Sequence, residues 1–331
     1  MKNTATLFNK WLDQLDTLLT KAASQKNPAL WLYQNNARTP LFMLEGLAKL
    51  YAGIHNKKKF SKLKAQFKLL EDVLGSIDYY DSFAKEFSKN KKIPAAITGY
   101  LQAQTREKIQ SLNEALKEHG WIGSEEKRTD TIRKKLKKAD WKSSKAEIKG
   151  MLDFYKTSIT EIVAFTGKTN FHFENVEADV HELRRKLRWL SIYPQALQGC
   201  VQLSKQKTSD KTLTKYLTKE IINSPFNKMP DAGDNKHFLL LEQTHFYALS
   251  WMIAELGKLK DTGLRVIAIK EALQQVSVTD HVQALKKAYT YTGSLQPQIK
   301  NLLLKADQIC KAYFKEKQLQ KLVIGTAATL K

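Results

Sequence analysis

Between Val180 and Leu190 the chain reads Val-His-Glu-Leu-Arg-Arg-Lys-Leu-Arg-Trp-Leu. On a helix His181, Arg184, Arg185 and Arg188 fall at i, i+3, i+4 and i+7, along one stripe. Val180, Leu183, Leu187 and Leu190 form a second stripe on another side. Such a helix docks by its leucines and presents three guanidiniums and an imidazole together. Like charges within two turns repel one another. An anion laid across the stripe offsets that repulsion, and the planar guanidinium fork suits phosphate oxygens. Glu177, Asp179 and Glu182 flank the stripe. If those acids neutralise it, the segment is a solvated basic face and no more.

The rest of the chain leans the same way. Its 331 residues carry 55 Lys and Arg against 33 Asp and Glu, a formal charge of +22. A surplus of that size speaks about partners rather than fold, and it points to a polyanion. Lys57, Lys58, Lys59, Lys62, Lys64 and Lys68 form one cluster. Lys127, Arg128, Arg133, Lys134, Lys135, Lys137, Lys138, Lys142 and Lys145 form another. Phe60, Leu63, Phe67 and Leu70 recur at helical spacing inside the first, Ile132 and Leu136 inside the second, so both clusters project from ordered helices.

The elements that must position these residues are helical. The chain has 42% hydrophobic residues, 14 Gly and 7 Pro, a globular composition with few tight turns. Apolar periodicity predicts helices over 5–22, from Pro40 to Ile54, over 60–89, from Pro94 to His119, and over 145–165. Beyond these it predicts helices over 177–204, 236–259, 263–275, 279–292 and 297–320. Residues 121–145 read as a charge-dense connection or a short exposed helix pair, and 206–235 as one short helix plus a loop. No strand-period alternation stands out. The expectation is an all-α protein of antiparallel bundles.

One phrase recurs. Leu69 to Asp78 reads Leu-Leu-Glu-Asp-Val-Leu-Gly-Ser-Ile-Asp, and Met252 to Asp261 reads Met-Ile-Ala-Glu-Leu-Gly-Lys-Leu-Lys-Asp. Both are apolar with an acid, then Leu-Gly, then Asp. The recurrence implies two related halves of about four helices each, one over 1–165 with the basic connection 121–145, the other over 171–331.

Signals for catalysis are weak. Thr166-Gly167-Lys168-Thr169 ends like a phosphate loop, but Ile162 stands where the earlier Gly belongs and no strand precedes it. Glu242 and His245, one turn apart, read as a satisfied buried pair rather than half a metal site. His172 and His237 fall in predicted loops. Cys200 and Cys310 fit neither a zinc spacing nor a disulfide framework, which points to a reducing compartment. The first residues carry no apolar segment of a signal peptide and no apolar run is long enough to span a membrane. A cytoplasmic, non-enzymatic protein without cofactor or metal is expected.

His181-x-x-Arg184-x-x-x-Arg188, preceded by aliphatic Val180 on an amphipathic helix, resembles the signature of the CHAD family, the conserved-histidine α-helical domain. Leu256-Gly257-x-x-Lys260-Asp261 matches that family's second hallmark, and Leu74-Gly75 is its counterpart in the first half. The resemblance implies two four-helix bundles around a basic channel that binds inorganic polyphosphate, and hence residence at polyphosphate granules. It assigns binding to His181, Arg184, Arg188 and Lys260. Arg185 and Lys186 join them by charge alone, and the first lysine cluster, Lys58 and Lys62 included, extends the track. This chain departs from the family in having Trp189, Leu190 and Ser191 where further basic residues are usual. Its first-half helix, near Arg38 to Ile54, holds Arg38 and Lys49 but no His-x-x-Arg. Two other readings stay open: a nucleic-acid-binding helical module, and a helical scaffold with no polyanion ligand.

Overall fold

Short polar side chains set where the helices begin. In the computed structural model, which describes residues 5–204, 211–277, 280–293 and 297–328, Asn27 accepts a hydrogen bond from the Leu30 amide, Asn56 from Lys59, Ser143 from Ala146 and Asp280 from Gln283. Each supplies an acceptor to an amide that has no partner inside its helix. The resulting order is α1 (Ala5–Ala23), α2 (Pro28–Gln34), α3 (Arg38–Ile54), α4 (Lys57–Phe87), α5 (Ala95–Glu118), α6 (Arg128–Lys137) and α7 (Ser144–Lys168). There follow a π-helical turn (Val176–His181), α8 (Glu182–Ala196), α9 (Lys219–Ile222), α10 (Gln243–Val276), α11 (His281–Thr292) and α12 (Ile299–Lys315). The protein is all-α in class. None of the described helices is long and apolar enough to cross a membrane.

The details differ from the periodicity in four places, the first being that the helix expected over 177–204 ends at Ala196 and its last four residues, Val201–Ser204, are strand. The first segment holds seven helices rather than about four. α2 has seven residues, too few to show a period, and α6 buries only Thr129, Ile132 and Leu136 amid its charges. The helices expected over 236–259 and 263–275 are one continuous α10, because Lys260, Asp261 and Thr262 continue its helical backbone without a Pro or Gly to break it. Three short strands are present: β1 (Val201–Ser204), β2 (Phe238–Glu242) and β3 (Val323–Ala327). β2 pairs parallel to β1, with Val201 opposite Leu239, and antiparallel to β3, with Phe238 opposite Ala327. β2 is Phe-Leu-Leu-Leu-Glu, buried on both faces, and a continuous apolar run has no strand period to read. Of the stretch 206–235, residues 206–210 lie outside the described residues.

The turn from α8 into β1 depends on Gly199. Its φ is +95°, and a Cβ there would stand 2.1 Å from the Asp231 carbonyl oxygen. Only glycine fits.

Two apolar clusters hold the helices. The larger unites α1, α3 and the first half of α4 with α7, α8, α12 and the start of α10. The smaller joins the far end of α4 and the start of α5 to the second half of α10 and α11. Both draw from both segments of the chain. α3 and α4, joined by His55 and Asn56 alone, lie antiparallel, so the start of α3 reaches the middle of α4. α8 packs on α3 along one side and on α10 along another.

Candidate basic face at the α3–α8 seam

Leu183, Leu187 and Leu190 are buried, as their stripe requires, and they press α8 into the larger cluster. Arg184 and Arg188 are thereby carried to the edge of that cluster, where each is half-buried. The Arg184 Nε donates to the Ile253 carbonyl at 3.2 Å, and the Nε–Nη2 edge of its guanidinium lies against Gly257, where a Cβ would stand 3.0 Å from Nε. Burial lowers the Arg184 pKa, and Asp261 opposes that shift. Arg188 has no carboxylate within ion-pair distance among the described residues. Burial, then repulsion from Arg184 and Arg38, lowers its pKa to about 10, and Glu71 acts the other way.

An aromatic pair separates Arg188 from a second cation. Phe42 of α3 and Trp189 of α8 stack at 4.6 Å, 19° from parallel. The Arg188 guanidinium lies 4.6 Å from the Phe42 ring centre, and the Lys49 ammonium 5.0 Å from that of Trp189. Four side chains from two helices thus form a cation–ring–ring–cation stack. Lys49 also lacks a carboxylate at ion-pair distance among the described residues. Burial, then Lys64, Lys186 and Arg185, lowers its pKa to about 8 against the opposing pull of Glu45.

The other predicted residues divide. His181, at the end of the π-helical turn, holds Glu177 at 2.7 Å through Nδ1. That contact is the first cause of the lowered Glu177 pKa, with Lys260 and Arg185 contributing through space, so these residues gather around one acid. Arg185 is exposed and pairs with Glu182 at 2.7 Å, which also holds Lys186 at 3.3 Å. Lys260 pairs with Asp261 at 2.6 Å. His181, Arg185 and Lys260 therefore already have acidic partners, whereas Arg188 and Lys49 do not.

Lys58 and Lys62 are exposed. On α4 they point about 120° and 160° away from Lys64, the residue whose charge reaches Lys49. The stripe of α4 that faces α3 runs through Lys64, Lys68, Glu71, Gly75 and Asp78 instead. Lys68 pairs with Asp72 at 2.6 Å, and the Arg38 Nε donates to Glu71 at 2.7 Å while its Nη1 reaches Asp78 at 3.4 Å. Between them lies Glu45, 4% exposed, without an ion pair or hydrogen bond among the described contacts. Its burial and then Glu71 raise its pKa to about 7, although Lys68 and Lys64 pull it down.

The sequence reading gave no role to Phe42, Glu45 or Glu71, and it did not separate Lys64 from the rest of its cluster. Arg38, Phe42, Glu45 and Lys49 stand at i, i+4, i+7 and i+11 of α3, and that period was the available signal.

The residues set aside as non-catalytic have structural partners. Glu242 caps α10, accepting from the His245 amide at 2.6 Å, and the His245 Nδ1 lies 2.7 Å from the Gln318 Oε1. His172 pairs with the buried Asp307 at 2.9 Å. Both cysteines are buried free thiols, and burial pushes Cys200 up to about 12. A cleft of about 620 Å³ lies away from the seam, among α10, α11, α12 and the π-helical turn, with Lys270, His281 and Lys300 in its lining. Comparison of the chain with protein-family models, with the curated proteins and with the solved structures found no match.

Proposed function

We propose that the α3–α8 seam binds inorganic polyphosphate, or a similarly phosphate-rich polyanion, without catalysing a reaction. The carrying observation is Arg188 and Lys49, held at the two ends of the Phe42–Trp189 stack with their pKa values depressed by burial and by other cations and with no carboxylate at ion-pair distance among the described residues. A cation that stays half-buried among like charges is favoured by an anion that arrives from outside. Consecutive phosphates engage Arg184 and Arg188 on α8 and Lys49 and Lys64 on the facing helices. The charge-assisted contacts are strongest at the guanidiniums.

The same reading places the chain in the CHAD family as a divergent member, cytoplasmic and located at polyphosphate granules. Its support is the His181–Arg184–Arg188 motif together with a correspondence between the halves. Arg38 lies over Gly75 as Arg184 lies over Gly257, and Phe42, four residues after Arg38, meets Arg188, four residues after Arg184. Residues related by a twofold axis meet each other only beside that axis, so α3 and α8 are the central pair of an internal repeat.

A single-stranded nucleic acid would need an aromatic face for its bases. Trp189 is 7% exposed and its partner ring is covered by Arg188, which disfavours that ligand. The test is competition: labelled long-chain polyphosphate, challenged with double-stranded DNA and with heparin across a salt series. Selective, saturable binding that is lost in an Arg184→Ala, Arg188→Ala double variant is expected. Equal competition by every polyanion, or binding that survives the double variant, overturns the proposal.

A further inference from the structure

The two glycine-backed arginines differ in what they hold. Four residues before Gly257 stands Ile253, whose carbonyl, a neutral acceptor, takes the Arg184 Nε. Four residues before Gly75 stands Glu71, whose carboxylate takes the Arg38 Nε at 2.7 Å. Glu71 is 6% exposed and is held in the crevice between α3 and α4, whereas 41% of the Arg38 side chain reaches solvent. The second acid on Arg38, Asp78, is exposed and stands farther off, at 3.4 Å. Glu71 offers Arg38 the charge-assisted contact that a phosphate oxygen would offer.

We infer that Arg38 is a second phosphate subsite, filled from within by the Glu71 carboxylate, so that a polyanion held by Arg184, Arg188, Lys49 and Lys64 is kept from extending past Arg188 to the Arg38 end of α3. The inference rests on the polyanion reading of the seam. Arg38 lies within electrostatic reach of Arg188. A chain of phosphates bound at Arg188 therefore has its next contact at Arg38 once the carboxylate is gone. Glu71 sets the length of the bound segment and repels the anion from the same place.

The experiment titrates long-chain inorganic polyphosphate against the wild type, Glu71→Gln, Glu71→Asp, Arg38→Ala and the Glu71→Gln, Arg38→Ala pair, at several salt concentrations. Glu71→Gln keeps the side-chain shape, and thermal unfolding checks its fold. It should bind on the order of fivefold tighter than the wild type. Its salt dependence should steepen by about 0.7 in log–log slope, the increment for one further phosphate contact. Glu71→Asp draws the carboxylate back without changing net charge and should gain in part. Arg38→Ala alone leaves the buried Glu71 carboxylate without its cation and should bind no more tightly than the wild type, and in the paired variant the gain should vanish.

A gain that survives Arg38→Ala is a general charge effect and overturns the inference. So does an unchanged Kd in Glu71→Gln when the wild type binds and its binding needs Arg184 and Arg188. Binding by Glu71→Gln alone, with an inert wild type, supports it. No binding by any of the proteins overturns the polyanion reading itself.

Discussion

Arg188 and Phe42 touch across the seam between α8 and α3, the guanidinium carbon 4.6 Å from the ring centre. The contact orients a cation without neutralising it. A carboxylate in the ring's place would hold Arg188 as firmly and remove its charge from any ligand, as Glu71 does at Arg38. Arg188→Ala should therefore weaken polyphosphate binding by about 1.5–3 kcal/mol, the range for a hydrogen bond to a charged group. Arg188→Lys should recover part of the loss, since it restores a charge but not the planar fork. Isothermal titration at fixed, near-physiological salt is the check, and an unchanged Kd in Arg188→Ala counts against the seam.

The two lysine registers of α4 make opposite predictions for neighbouring residues. Lys64 reaches Lys49 electrostatically, while Lys58 and Lys62 face away from α3. Lys64→Ala should reduce affinity severalfold. Lys58→Ala and Lys62→Ala should change it by less than about twofold, as distant surface charges screened by salt do. Equal losses from all three would mean that the whole cluster attracts the anion and no register is read.

Lysine density alone led to Lys58 and Lys62, because a count of charges carries no angle. The helix stripe at Leu183, Leu187 and Leu190 was legible, since apolar period and burial are the same fact seen twice. The Leu-Gly phrases stood out as a recurrence, but the close approach of an arginine to each glycine did not. What could not be read was the partner of each charge. Arg184 and Arg38 look alike in sequence, and the difference between them lies in Ile253 and Glu71, residues more than thirty positions away. The three strands were hidden for another reason: β2 pairs with partners 38 residues before it and 82 to 89 residues after it, and its buried run has no alternation.

Gly257 should behave unlike an ordinary helical glycine. In an exposed helix interior, Gly→Ala stabilises by about 1 kcal/mol. Here a Cβ would press on the Arg184 guanidinium at 3.0 Å from Nε and 3.4 Å from Nη2. Gly257→Ala should shift Arg184 off its carbonyl and weaken polyphosphate binding severalfold, while Tm stays within a few degrees of the wild type. Gly75→Ala, which displaces Arg38, should leave binding unchanged, since Arg38 already serves Glu71. Loss of binding in both variants, or in neither, would contradict the division of labour between the halves.

Glu45 makes stability and binding depend on pH in a defined sense. Facing it are Lys64, Lys68, Glu71 and Asp72 from α4, Tyr193 from α8, and Lys49 one turn along α3. Burial and Glu71 raise its pKa from 4.5 to about 7. Between those values the folded protein binds a proton that the unfolded chain does not, so stability falls as pH rises from about 4.5 to 7 and the penalty is fully present above 7. Glu45→Gln removes that penalty, and at pH 8 it should stabilise the fold by on the order of 2 kcal/mol. At about pH 5 it should be nearly neutral. Binding follows the same protons: below pH 7 Glu45 is neutral and Lys49 charged, while above pH 8 Glu45 repels the anion and Lys49 has begun to lose its charge. The wild type should therefore bind long-chain polyphosphate on the order of tenfold more tightly at pH 6 than at pH 9. Glu45→Gln should keep only the upper part of that dependence, the part due to Lys49. Denaturant unfolding across the pH range and titrations at the two ends measure both effects. A wild-type affinity that is flat across this interval would show that neither group stands beside the bound anion.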